Sequence, residues 1–395
     1  MCVSRPMELI IVGAGMYVCG RGTEGYGTIL PAVFEGYRSG LVGTIHIAAT
    51  SAASARAARE KAKDLGQLMG VSPELRFYPE AGENHHAYLE ALKATAGRPR
   101  AAMVSVPDHL HFEITRDLIE HDVHVQVVKP LAPTVREVEA LVELARQHRV
   151  YGAVEYHKRF DEANLKLLAL IRQGTLGELL NFRIQYSQRK VIPTTIFRQW
   201  VDRTDIFQYL GVHYVDLIHF LTKAQPIRVM SVGMKKYLSR EGIDTFDTIQ
   251  TLIEWQEEGG KTFLSDHLTG WVDPDTSSAM SDQRLEVVGT RGRYISDQKD
   301  RGVSLVTDGS STEQINPYFS QFYPGVDGNT QTFSGYGPRS ILQFLRDCSD
   351  ILNSEVEVDA LAGLRATFAS SLPVAKVLEA SCLSLGGGNR WVTIA

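Results

Sequence analysis

IIVGAGMYVCGRGTEGYGTIL, residues 10–30, carries glycines at 13, 15, 20, 22, 25 and 27. It follows the apolar run MELIIV (7–12), which has the length and continuity of a buried strand. Gly13 and Gly15 fall where that strand ends, the position of the tight turn in a dinucleotide-binding unit. A glycine at 15 lets the backbone approach a pyrophosphate, and the N–H groups opening the next helix, at Met16 and Tyr17, are free to bind the anion. The full G-x-G-x-x-G pattern would put a third glycine at 18, where Val18 stands. The motif alone therefore leaves a ligand-free glycine-rich turn open, and its place after the first strand favours the phosphate cradle. Glycines 20 to 27 read as an inserted loop that delays the helix TILPAVFEGYRSG and could fold over a cofactor or a substrate.

Working outward, TIHIAAT (44–50), AAMVSV (101–106) and VHVQVV (123–128) are further strand candidates. Between them lie the alanine-rich helix closed by Gly70 and a helix with Leu110, Ile114 and Leu118 on one face. A third helix opens on a Thr134/Glu137 capping box. This alternation predicts a doubly wound parallel sheet, a Rossmann domain over 7–150. After 150 longer extended runs dominate, from LLNFRIQYS to GRYISD, with helices expected at 160–174, from Gly211 to Leu221, and near 358–381. They predict an α+β domain over 151–395 with a large open, mostly antiparallel sheet, and a long loop over 308–338.

The chain has 395 residues, enough for two domains, with 44% hydrophobic and 22% charged residues. A net charge of −5 lacks the basic footprint of a nucleic-acid or anionic-membrane binder. No apolar run has membrane-spanning length, MCVSRP reads as a loose tail, and no signal peptide is recognised, so a cytoplasmic location is expected. The four cysteines form no C-x-x-C pair, and His109-x-His111 has no acid or cysteine cluster to complete it, so no metal is expected.

The carboxylate that reads a ribose 2′-OH about 20 residues beyond the glycines is missing. Thr50 and Ser51 end the second strand and Arg56 lies one turn into the helix; these groups suit a 2′-OH or a 2′-phosphate, leaving NAD and NADP level.

Three more stretches carry a family resemblance. VSVPDHLHFEITRDLIEHDVHVQVVKPLAPTVREVEALVELA (104–145) resembles the segment running from a strand ending in proline to the E-K-P motif in the Gfo/Idh/MocA oxidoreductases. YHKRFDEANLKLLALIRQGTLGELLNFRIQYS (156–187) is similar to the opening of their second domain, and LGVHYVDLIHFL (210–221) to their G-x-H-x-x-D helix. The likeness covers roughly 7–300 and implies a nicotinamide-dependent oxidoreductase whose C-terminal open sheet often forms an oligomer interface, here a dimer or tetramer. Two departures stand out: Val128-Lys129-Pro130 lacks the glutamate of E-K-P, and Tyr209 stands four residues before His213 where many relatives have aspartate.

Oxidation of a secondary alcohol needs a hydride acceptor, a base, and stabilisation of the forming alkoxide. Lys129 ends a Rossmann strand, where such sheets bind ligands, and its ammonium would favour the alkoxide. His213 is the candidate general base, with Asp216 to orient it or bind a hydroxyl, and Tyr209 as acid/base partner or substrate ligand. Tyr156 and Arg159 are candidate substrate groups; Arg159 would grip an anion or pair with Glu155 or Asp161. Pro107 and His109 are expected beside the nicotinamide. Trp271 reads as packing between protomers, and the aromatic loop at 315–337 is open between such packing and sugar stacking.

The reading is an NAD-dependent (NADP not excluded) dehydrogenase acting on a sugar, sugar derivative or cyclitol, with Lys129 and His213 catalytic. Two rivals share the fold: a non-catalytic dinucleotide-sensing regulator, and a redox-assisted glycoside hydrolase.

Overall fold

The computed structural model describes residues 6–308 and 312–394. The expected strand MELIIV forms as β1 (Met7–Val12), buried along almost its whole length as befits a strand covered on both faces. The helix after it is broken: one turn, α1 (Met16–Cys19), then the glycine loop, then α2 (Ile29–Arg38). There follow β2 (Val42–Ala48), α3 (Ala52–Met69), β3 (Leu75–Tyr78), α4 (Ala87–Ala94), β4 (Arg100–Val104), α5 (His111–Glu120), β5 (His124–Val128), α6 (Val135–His148) and β6 (Gly152–Glu155). The Ser51 side chain caps α3 by accepting from Ser54 N at 3.2 Å, and Gly70, left-handed at φ 66°, ends it. Between these caps Ala55, Ala58, Ala62, Leu65 and Met69 form its buried stripe.

The chain continues through α7 (Glu162–Arg172), β7 (Leu179–Arg189), α8 (Val212–Thr222), β8 (Gln225–Met234), α9 (Tyr237–Arg240), β9 (Thr248–Gln256), β10 (Thr262–Asp273), β11 (Ser281–Gly289) and β12 (Arg293–Asp297). Two short hairpins come next, β13 (Ser304–Leu305) with β14 (Glu313–Gln314) and β15 (Gln321–Pro324) with β16 (Gln331–Ser334). Then come α10 (Tyr336–Leu352), α11 (Leu372–Gly386) and β17 (Val392–Thr393).

Two compact units result. One holds residues up to Ala132, Arg136–Phe160 and Tyr318–Ser371; the other holds Pro133–Val135, Asp161–Pro317 and the chain from Leu372 on. In the first, all six strands run parallel in the order β3-β2-β1-β4-β5-β6, the Rossmann arrangement expected from the sequence. Besides the short Pro133–Val135 segment, the units differ from a single division at 150 in two places. β6 pairs in parallel with β5 and so completes the first sheet. Residues 318–371 return to the first unit because Phe333, Ile341, Phe344, Leu345 and Cys348 share its core with Val33 and Phe34. Phe333 N also donates to Glu35 Oε1 at 2.7 Å.

The second unit is built on a seven-stranded sheet, β12-β11-β7-β10-β9-β8-β17, in which only β7 and β10 run parallel. Its strands alternate: Phe182, Ile184, Ile253, Trp255, Phe263 and Leu285 are buried on one face, which α8 and α11 cover. The opposite face exposes Leu180, Leu264, Leu268 and Ile295.

Two sequence expectations are corrected. The stretch 308–338 is not one loop but contains the β15–β16 hairpin, and at its end α10 begins, with Pro338 accommodated in the first turn, where its missing N–H is harmless. The last long helix is α11 rather than a segment from 358, where only a single turn, Val358–Leu361, forms. The tail MCVSRP lies, but for Pro6, outside the described residues, as does Cys2. No helix among the described residues is long and apolar enough to cross a membrane.

Candidate functional site

In the first unit the groups gather at the carboxy ends of β1, β2, β4 and β5. Gly13 has φ +117°, and a Cβ there would stand 2.1 Å from the Ser105 carbonyl oxygen, so only glycine fits. Its N–H continues the ladder to Ala48 O at 2.8 Å. Gly15, by contrast, would project a Cβ into open space, just ahead of the α1 N–H groups that Met16 and Tyr17 open. That space is where a pyrophosphate approaches such a turn, so the residues present fit a dinucleotide.

The glycine loop beyond is clamped rather than loose. Lys61 Nζ, from α3, donates to the carbonyls of Thr23, Glu24 and Gly25 at 2.9, 3.2 and 2.9 Å. Thr28 N returns to Tyr17 O at 2.8 Å, and the Tyr26 ring packs edge-on against Phe322. At the end of β2, Thr50 is exposed and its carbonyl accepts from Asn84 N, Ser51 caps α3, and Arg56 is exposed.

Lys129 directly follows β5 and is 7% exposed. Burial pushes its ammonium down to about 8, against the opposite pull of the buried Asp108 and Glu155 carboxylates. A lysine so placed is poised near neutrality, as a group that donates to a developing alkoxide requires. The loop carrying it is held by His111, whose Nδ1 lies 2.7 Å from Pro130 O and whose Nε2 lies 3.0 Å from Val106 O. This buried imidazole ties the segment after β4, with Pro107 and the half-buried His109, to the segment carrying Lys129. Its position in the sequence was plain, but its partners come from turns 5 and 19 residues away and were not. With both ring nitrogens engaged by carbonyls, it is not offered to a metal, and among the described residues no cluster of His, Cys, Asp or Glu is arranged to hold one.

Tyr156 and Arg159 follow β6, and both are buried. The Arg159 guanidinium stacks 5.4 Å from the Tyr156 ring centroid and reaches Ser370 Oγ at 3.5 Å. Of the two carboxylates expected to compete for Arg159, Glu155 engages His157 Nδ1 at 3.1 Å. Asp161, in the second unit, caps α7 through Ala163 N and binds Arg301 at 2.7 Å and Gln298 at 2.9 Å.

In the second unit His213 and Asp216 lie on α8, both buried, with the His213 ring 6.3 Å from that of Tyr186. Tyr209 belongs to a π-type turn over Phe207–Gly211 that leads into the helix. The Tyr209 ring sits in an aromatic group with Phe197, Trp200 and Trp271, at centroid distances of 5.0, 6.3 and 5.7 Å. Trp271 is fully buried within the chain and donates to Gln188 Oε1 at 3.2 Å, so its packing is internal and not the contact between protomers expected of it. His219, one turn beyond Asp216, places Nδ1 3.0 Å from Ala224 O at the end of α8.

Comparison with known proteins agrees with this architecture. Residues 10–156 match the model of an oxidoreductase family with an NAD-binding Rossmann fold, and residues 164–295 match the GFO/IDH/MocA C-terminal domain. The chain is 26% identical over 281 residues to myo-inositol dehydrogenase Hyg17 of Streptomyces leeuwenhoekii, covering 70% of this chain and 81% of that protein. A shorter match, also 26% identical, covers 39% of this chain and 42% of the NADP(+)-dependent scyllo-inositol 2-dehydrogenase IolW of Bacillus subtilis. In structure it is similar to scyllo-inositol dehydrogenase of Lactobacillus casei, solved with NAD(H) and scyllo-inositol. The TM-score is 0.67 at 16% identity, over 98% of this chain and 99% of that one.

Proposed function

This chain belongs to the GFO/IDH/MocA oxidoreductase family, and from that premise we propose that it is an NAD(P)-dependent dehydrogenase for a secondary hydroxyl of a cyclitol, sugar or sugar derivative. The observation that carries the reading is Lys129: a buried lysine at the carboxy end of β5, held by its surroundings near about 8, in a sheet whose first turn fits a pyrophosphate. A surface lysine would have no reason to be lowered, and a non-catalytic sensor would have no use for the desolvation.

The nicotinamide, when bound, supplies the hydride acceptor. Lys129 donates a hydrogen bond from its ammonium to the substrate oxygen and stabilises the negative charge that grows there. His213 takes the hydroxyl proton on its imidazole, and Asp216, fully buried beside it on α8, orients the ring. Tyr209, half-exposed at the entry to α8, is assigned to the substrate as a hydrogen-bonding partner, with Tyr156 and Arg159 completing the substrate set. Gly13, Gly15, Met16, Tyr17, Thr50, Ser51, Arg56, Pro107 and His109 are assigned to the cofactor. We assign the uncovered face of the seven-stranded sheet to contact with further copies of the chain, because Leu180, Leu264, Leu268 and Ile295 stand exposed on it.

The direct test is titration of the purified protein with reduced nicotinamide dinucleotides, read by energy transfer from tryptophan. Micromolar binding supports the cradle at Gly13 and Gly15; no binding of either form removes the dehydrogenase reading and favours a protein that no longer uses the cofactor.

A further inference from the structure

The glycine insertion between α1 and α2 exceeds what a β–α turn needs, and its rigidity calls for a purpose. Arg21 stands at its start, flanked by Gly20 and Gly22, both left-handed at φ 70° and 81°. A Cβ at Gly20 would lie 1.9 Å from Gly25 O, so the loop can close this tightly only on glycine. Lys61 fixes the following three carbonyls. Arg21 is thus held from both sides, and it points at the start of α3: its Nη1 donates to Ser54 Oγ at 2.6 Å. Ser51 Oγ lies 3.1 Å from the same oxygen. Among the described residues the exposed Arg21 guanidinium has this one hydrogen bond and no carboxylate partner.

Ser51 follows β2 and caps α3, the place in a Rossmann sheet that meets the adenosine ribose. A 2′-hydroxyl is read there by a carboxylate acceptor, and Ala48, Ala49, Thr50 and Ser51 supply none. Glu83, whose backbone bridges Ser51, is exposed and pairs with neither Arg21 nor the serines. A cation with two hydroxyl donors and no counter-ion suits a phosphate dianion. Arg56 is less well placed, because it lies two residues past Ser54 and so about 200° around α3.

We propose that Arg21, Ser51 and Ser54 form the site for the 2′-phosphate of NADP(H), and that the glycine-rich insertion serves to deliver Arg21 to it. The proposal rests on the dinucleotide reading above and deepens it: NADP(H) is the preferred cofactor. The arginine is found 33 residues from the serine it meets, which is why the end of β2 alone left the two cofactors level.

The test is binding, not turnover. NADPH and NADH are titrated against the full chain, its Arg21→Ala variant and its Ser54→Ala variant, with adenosine 2′,5′-bisphosphate as a nicotinamide-free competitor. The wild type is expected to bind NADPH at least about tenfold tighter than NADH. Arg21→Ala should weaken NADPH about 10- to 100-fold and NADH by less than about twofold, and Ser54→Ala should weaken NADPH by less than Arg21→Ala does. The bisphosphate should displace NADPH from the wild type and lose that ability in Arg21→Ala. NADH binding as tight as NADPH in the wild type, or a ratio unchanged by Arg21→Ala, overturns this proposal and leaves the dehydrogenase reading intact. Failure of the wild type to bind either nucleotide overturns both.

Discussion

Replacing Lys129 by methionine should stabilise the protein, and by an amount that depends on pH. The lysine is 7% exposed and its folded-state value is lowered to about 8, chiefly by burial, with Asp108 and Glu155 opposing. In the unfolded chain it titrates near about 10.4. Below about pH 8 the amine is protonated in both states, and the folded state bears the whole cost of the buried charge. Between about 8 and 10.4 the unfolded chain binds the proton and the folded protein does not, so stability rises with pH until the cost is gone. At roughly 1.36 kcal/mol per pH unit, the cost is about 3 kcal/mol at pH 7, about 2 at pH 9 and about 1 at pH 10. Methionine keeps most of the volume and removes the charge, and because the value of about 8 already sets the pull of Asp108 and Glu155 against the cost of burial, Lys129→Met should gain those amounts. At about 2–4 °C per kcal/mol, the first unfolding transition should rise by about 6–12 °C at pH 7 and by far less at pH 10. Scanning calorimetry of wild type and variant across that range reads the effect directly. A variant no more stable than wild type at pH 7, or a difference that does not shrink toward pH 10, refutes the claim that Lys129 is a buried, destabilising cation.

Other expectations follow from single contacts. Gly13→Ala forces a Cβ to 2.1 Å from Ser105 O at φ +117°, and should cost at least about 2 kcal/mol and abolish nucleotide binding, as denaturant melts and titration will show. His111→Ala removes the buried imidazole that faces the Val106 and Pro130 carbonyls and should cost about 2–4 kcal/mol, measured by urea unfolding. Leu268→Glu, on the exposed face of β10, should leave unfolding within about 1 kcal/mol of wild type while lowering the sedimentation mass toward one chain; an unchanged assembly assigns the subunit contact elsewhere.

What was legible in the sequence was local. β1 with Gly13 and Gly15, the caps of α3 at Ser51 and Gly70, and Lys129 at the close of a strand each depend on neighbours a few residues away. β3 was missed because four residues alternating in burial carry little signal, and its pairing with β2 is a tertiary matter. The aromatic run near 320–336 looked like a loop because its partners, Tyr26 and Glu35, lie some 300 residues earlier. The same distance effect hid the Arg21–Ser54 contact and the His111 tie. The π-type turn over Phe207–Gly211 was not legible, because the sequence leading into α8 carries no mark that separates it from ordinary helix.

In the proposed reaction Lys129 stabilises the growing alkoxide while a bound nicotinamide takes the hydride of a secondary alcohol. The measurement closest to it supplies NAD+ and NADP+ with a panel of inositols and related sugars, and follows the absorbance of the reduced nicotinamide for wild type and Lys129→Met. Turnover by the wild type is expected with at least one member of the panel. A loss of at least about a hundredfold in kcat is expected for the variant, with nucleotide affinity kept within about threefold. Turnover undiminished in Lys129→Met, or tight nucleotide binding with no oxidation of any member by the wild type, would contradict the proposed reaction.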